Sequence, residues 1–402
     1  VGTGKAVTLT ETYAGTDRNN YTITGQGSTT ADITQLASVT WTGNASDGLW
    51  STAANWAGSA IPDQNNVAQV VIPEASTISF DTDNVAVNTD GSIGSSIVNA
   101  GSLTFNGAND YTFAQVISGA GDLIKSGNNT LTLSAANTYT GDTTISAGTL
   151  TVTGTLSDST DVAVSSGATY KLEVSDTIGS ISGAGTVRVG DDFSFDAVVL
   201  TVDHSTAKTF SGNLIIPAGM DAHGFVKHGS GTLTLTTANT DAYGDITVTG
   251  GVLSITHNDA LGNTTTTVNS GAALHLSNNI TVYARIDLNG SGVSSNGALR
   301  NVSGSNTLTQ WLLLGTDTEI QVDSGSTLAI SPTNHYSHAI TGTYVGNNRH
   351  LTLDAQGTLS ISKNINIGNK NLTKTGAGTL TLSGNNTYTG DTTISAGTLK
   401  LT

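Results

Sequence analysis

Apolar and polar residues alternate through most of this chain with a period of two. Leu131 and Leu133, then Ile145, then Leu150 and Val152 point one way, while the Thr and Ser residues between them point the other. That is the pattern of a half-buried strand. Glycines and Asn-Asn, Gly-Asp or Ala-Gly pairs interrupt it every few residues and supply the positive φ that tight corners need. No segment holds a sustained helical spacing. The pattern predicts short strands joined by tight turns, an all-β chain.

The strands are organised by a repeat. NTYTGDTTISAGTL occurs letter for letter at Asn137 to Leu150 and at Asn386 to Leu399, and a degenerate copy, NTDAYGDITVTGGVL, runs from Asn239 to Leu253. A Lys-x-Gly element precedes each copy, at Lys125 and Gly127, Lys227 and Gly229, and Lys374 and Gly376, followed by TLTL. A wider Gly-x-Leu mark recurs from Gly101 to Gly397, with steps that have a floor near 19 residues and occasional lengths up to 32. A coil of fixed perimeter with outward loops produces such steps. The prediction is a right-handed parallel β-helix of about 19–20 residues per minimal coil, a solenoid in which each coil buries its core against its neighbours. Leu131, Leu150, Leu214, Leu233, Leu253, Leu380 and Leu399 are expected to stack in one interior column. At roughly 4.8 Å per coil the rod is on the order of 60 Å long.

Composition favours one elongated body over several compact domains. Of 402 residues only 11% are charged, 48 are Gly and 4 are Pro. The absence of cysteine excludes a disulfide-stapled scaffold. A net charge of -16 repels phosphate backbones and anionic lipid, which weighs against nucleic-acid or membrane binding. No apolar run is long enough to span a bilayer as a helix. Val1 opens in mid-strand and Thr402 closes directly after a ladder strand, so a fragment of a longer protein is expected.

Three stretches resemble known families. VGTGK at Val1 to Lys5, the segment Gly15 to Thr22 and the closing Ala31 to Thr34 resemble the second half of the YDG or MBG-type repeat of large bacterial surface adhesins. The stretch from Val39 to Pro73 holds Trp41, Trp50 and Trp56 and resembles the Trp-rich segment that often precedes β-helical passenger regions. Its rings suit either a sugar-stacking platform or a cap over the open end of the solenoid; the cap is the favoured reading. The Lys-Gly-Thr-Leu-Thr-Leu units, Leu123 to Val152, Phe225 to Ile255 and Leu372 to Leu401, resemble the autotransporter-associated β-strand repeat, also called the passenger-associated transport repeat. This resemblance implies an extracellular passenger at the surface of a Gram-negative bacterium, exported through an outer-membrane translocation pore by type V secretion, with coils that fold progressively as they emerge. The expected organisation is an MBG-like end at 1–37, a Trp-rich cap at 38–76 and a parallel β-helix over 77–402.

Candidate chemistry is sparse. Asp81, Asp83 and Asp90 mimic a calcium loop, but Val85 and Ala86 stand where an oxygen ligand and a glycine are required. Asp191, Asp192, Asp196, Asp203 and His204 lie in a long step of the ladder, and the aspartates read as solvated surface acids. Tyr283, Arg285, Arg300 and Trp311 occupy further long steps, with Trp311 at a core or coil-edge position. The longest step holds His335, Tyr336, His338, Tyr344, Arg349 and His350, the best candidate contact patch, because exposed loops on rigid scaffolds carry recognition. No metal site, cofactor or catalytic constellation is expected, since a β-helix lyase needs clustered carboxylates with a base or bound calcium. The function expected is that of a non-catalytic adhesin segment, a stiff rod presenting loops to cell-surface or matrix glycans or proteins, or to copies of itself. The alternatives are a passive stalk or secretion-assisting spacer and a polysaccharide-cleaving enzyme.

Overall fold

The computed structural model describes residues 2–8, 28–63, 66–80, 92–93, 96–192, 196–218, 223–333, 338–342 and 349–402. Within them the chain winds as a parallel β-solenoid of about fourteen turns. Each full turn lays up to three short strands, one on each of three sides. In one turn these are Ile117–Ser118 on the first side, Asp122–Lys125 on the second and Thr130–Leu133 on the third. Every strand of the solenoid pairs in parallel with its counterpart one turn away. Thr130–Leu133, for example, lies between Tyr111–Phe113 and Thr149–Val152. Apolar residues alternate inward, so that Leu123, Leu131, Leu133, Ile145, Leu150 and Val152 are all fully buried.

The shortest turn advances seventeen positions, from Thr169 to Thr186. The longest advances thirty-three, from Ile320 to Leu353. Extra residues leave the coil at corners, because the interior of a closed turn has no room for them. The strand Leu312–Val322 serves two sides: its first residues pair with Arg285–Gly290 and its last with Leu299–Asn301.

One expectation is corrected by the register. The seven ladder leucines do not form one column. Leu131 pairs with Leu150 on the third side, in a column that continues through Tyr170 and Val187 to Leu214. Leu233 and Leu253 stand on the second side instead, in a column that runs on to Leu274, Leu299, Ile320 and Leu353. Leu380 and Leu399 belong to a further run, with Leu328 and Leu359. The middle repeat is therefore wound one side out of phase with the other two: Lys227 lies on the first side, Lys125 and Lys374 on the second. Consequently the steps Gly101 to Asn129 and Gly297 to Gly325 advance one side beyond a full turn. The underlying turns are ordinary, twenty positions from Ser102 to Asp122 and twenty-one from Leu299 to Ile320, so no outward loop accounts for either step.

The tryptophans lie in the interior. Trp41, Trp50 and Trp56 are buried, packed edge to face at 4.9 Å and 4.5 Å. Trp50 stacks on Phe80 at 4.1 Å, and Phe80 on Phe105 at 5.1 Å, which carries the aromatic column into the coils. Trp56 Nε1 donates to the Trp50 carbonyl at 2.8 Å. Such burial removes the sugar-platform reading of these rings. Ahead of these rings, Gly2–Thr8 and Ser28–Ile33 form a separate antiparallel pair; Gly15 to Thr22, the middle of the MBG-like stretch, lies outside the described residues.

Corners pack backbone on backbone. Gly148 has φ +66°, and a Cβ there would overlap the carbonyl oxygens of Asn129 and Gly127 in the turn beneath. Gly148→Ala should destabilise the chain by about 2 kcal/mol or more, from left-handed strain plus displacement of backbone that cannot yield. Chemical denaturation followed by circular dichroism measures this.

Candidate functional site

The residues that distinguish the repeat from its surroundings point inward. Lys125, Lys227 and Lys374 occupy interior positions of their strands and are fully buried. Each carries its ammonium to the corner that follows. Lys227 Nζ donates to the carbonyls of His228 at 2.6 Å, Gly229 at 3.0 Å and, one turn on, Gly250 at 3.2 Å. Lys374 Nζ bonds Thr375 and Gly376 in its own corner, Ala355 in the turn before at 3.3 Å and Ala396 in the turn after at 3.3 Å. Lys125 bonds Gly127 and, at 3.3 Å, Ala147. The Lys-x-Gly signature thus encodes a clip that gathers carbonyls from successive corners. Burial pulls the Lys125 and Lys227 ammonium groups down to about 8, against the pull of Asp110 and Asp203.

The repeat's asparagine works the same way. Asn137 Oδ1 accepts from the Ile117 amide at 3.0 Å while its Nδ2 donates to Ala135 at 2.9 Å and Thr155 at 3.2 Å. Asn239 accepts from Leu214 and donates to Ala260, and Asn386 accepts from Ile365. Sequence reading marked these residues as repeat letters but missed their role. The signal was available: a lysine recurring in all three copies inside an apolar alternation.

An aspartate stands in this bracket once. Asp176 accepts from the Leu156 amide at 2.9 Å, and burial raises its carboxyl to about 6, opposed by the Leu156 and Thr177 amides. The folded value exceeds the unfolded one near 3.9, so the stability this group contributes is full below pH 4 and is lost as pH rises through 6. Asp176→Asn keeps an accepting oxygen and removes the charge. It should flatten that slope and raise stability at pH 7 by about 1 kcal/mol, after discounting for solvent at the partly open site. Urea unfolding at pH 4 and pH 7 reads the difference.

Of the predicted contact patch, His335, Tyr336 and Tyr344 lie outside the described residues, as do Asp81, Asp83 and Asp90 of the calcium mimic. His338 opens the first-side strand His338–Gly342, with its Nδ1 buried. Arg349 Nε donates to the Gly315 carbonyl at 2.6 Å. The His350 amide donates to Asp317 at 2.8 Å, and its Nδ1 accepts from the Asn371 amide at 3.2 Å. His338 therefore stands at the corner entering the first side, and Arg349 and His350 at the corner leaving it.

Several of the surface acids are paired. Asp191 meets Lys171 at 3.1 Å, Asp192 meets Arg188 at 2.9 Å, and Asp161 meets Lys208 at 2.6 Å. Arg300 chelates Asp323, and Arg285 chelates Asp287 while lying 4.6 Å over the buried Trp311 ring. Among the described residues no group of three or more His, Asp or Glu is placed to hold a metal ion, and no helix is long and apolar enough to cross a membrane.

The three turns with an interior lysine clip are set in one parallel solenoid. The passenger-associated-transport-repeat family model matches residues 123–152, 225–255 and 372–401, the segments that contain the three clips. The chain is also similar to the adhesin BmaC autotransporter of Brucella suis biovar 1 (strain 1330), 29% identical over 350 residues. That similarity covers 81% of this chain but 9% of the relative's length. No solved structure matches the chain.

Proposed function

We propose that this chain is an extracellular, non-catalytic segment of a large bacterial surface adhesin, displayed by a Gram-negative cell after export through an outer-membrane pore. The observation that carries the reading is the solenoid itself. It is about fourteen turns stacked on a continuous aliphatic interior, stiff enough to hold loops away from a cell, and its repeats are of the passenger type. Similarity to an adhesin autotransporter over most of the chain supports the attachment role. The corners on either side of the strand His338–Gly342, where His338, Arg349 and His350 stand, offer contact surface to cell-surface or matrix glycans or proteins.

A second reading has its own support. Lys125, Lys227 and Lys374, with Asn137 and Asn239, are buried, as expected of a spacer whose repeats assist winding during secretion. Grafting the segment onto an inert carrier separates the two. Carriers that adhere to cells or matrix support the adhesin segment; carriers that remain free leave the spacer.

A further inference from the structure

We propose that one corner of the rod is a binding strip for an uncharged glycan chain lying parallel to the solenoid axis, with Tyr243 and Tyr283 as its stacking rings. The inference rests on the attachment reading and assigns it a site other than the corners at His338, Arg349 and His350. Among the described residues most aromatic side chains are interior, yet Tyr243 and Tyr283 expose 50% and 55% of their surface.

Both stand at the corner where the third side turns into the first. Ile246 pairs with Thr266 and Thr266 with Ile286. Continuing that register three residues back places Tyr243, Asn263 and Tyr283 in one line along the axis, and the Asn263 amide bonds the Ala242 carbonyl at 2.9 Å. The two rings are thus two turns apart, roughly 10 Å, close to the advance of a disaccharide in an extended chain. Exposed Asn263 lies between them, with its amide nitrogen bonded to the Thr240 carbonyl at 3.0 Å.

The exposure of Tyr243 is built into the sequence. In the first repeat, Tyr139 is fully buried and bonds Thr143 at 2.6 Å. The middle repeat has one residue more between its asparagine and its Gly-Asp pair, which puts Ala242 in the buried place and turns Tyr243 outward. A one-residue shift exchanges the two faces of an extended segment.

Charge selects the ligand class. Asp245 is exposed beside Tyr243, and the cation next to Tyr283, Arg285, is already bound to Asp287. On a chain of net charge -16 an acidic sugar finds no free cation at this strip, whereas neutral pyranose faces fit tyrosine rings and hydroxyls fit Asn263 and Asp245.

The test places the whole 402-residue chain on an array of neutral cello-, manno- and N-acetylglucosamine oligomers beside heparin and hyaluronan. At least one neutral series should be retained, more strongly as the oligomer lengthens. The Tyr243→Ala/Tyr283→Ala double variant should lose at least about tenfold of that signal with its thermal unfolding unchanged, and Tyr→Phe at both sites should restore it. Retention of no neutral oligomer, retention of acidic polymers alone, or equal binding by the alanine variant would overturn the proposal. The same variants on inert carriers keep the two readings apart. Cell attachment that survives loss of both rings leaves the adhesin reading intact and removes the glycan strip. Tyrosine-dependent array binding by carriers that never attach does the reverse.

Discussion

Leu131→Asp should unfold the central coils, with a loss of about 5 kcal/mol or more. Leu131 is fully buried between Tyr111 below and Leu150 above. Truncating such a residue alone costs about 2–5 kcal/mol, and a carboxyl group without a partner adds its desolvation. Leu380→Asp should behave alike, between Leu359 and Leu399. The chain supplies its own control, because one stretch of fourteen identical letters occurs in two environments. Ile145 is fully covered by the turn above it, while Ile394, at the same place in the last repeat, is 50% exposed. Ile145→Ala should cost about 3 kcal/mol and Ile394→Ala well under 1 kcal/mol in the 402-residue chain. Equal losses would mean that local sequence, and not stacking, sets the energetics. Urea titration of all four variants decides the matter.

Replacing an interior lysine should have the second largest effect. Lys227→Met fills a similar volume and relieves the cost of a buried charge, but it withdraws donors from three carbonyls that remain at the corner. Buried acceptors left unpaired cost about 1–3 kcal/mol each, so a net loss of about 3 kcal/mol is expected. The pH dependence supplies a signature that packing alone would not give. With the folded ammonium near 8 and the unfolded one near 10.5, the unfolded chain binds more protons between those values, and wild-type stability gains from this group as pH rises across the window. Lys227→Met should lose that gain. Guanidinium unfolding at pH 7.5 and pH 10 compares them.

The sequence made the winding legible because strand alternation, corner glycines and letter-for-letter repetition all describe the same local unit. It did not reveal the phase of that unit around the rod. A Gly-x-Leu step measures residues between corners and carries no label for which corner, so nineteen residues from Gly212 to Gly231 looked like a full turn while moving the mark one side back. Lys125 and Asn137 were visible as signatures, yet their partners lie in other turns, and only register shows which carbonyls a side chain meets. The outward turn of Tyr243 was hidden for a similar reason: one additional residue changes no composition but exchanges inside for outside. The interior place of Trp50 was readable because a large apolar ring in a chain poor in aromatics favours cover over exposure, and Phe80 supplies the continuation of that column.

The absence of native cysteine allows a direct test of the winding by pairs of spin labels on outward positions of the second side. Thr104 and Thr234 are six turns apart along the pairing, and Thr104 and Thr375 twelve. At roughly 4.8 Å per turn, pulsed dipolar spectroscopy should find narrow distributions near 29 Å and 58 Å, the second double the first. A second distance no longer than the first, or a broad spread at both pairs, would contradict a single continuous rod.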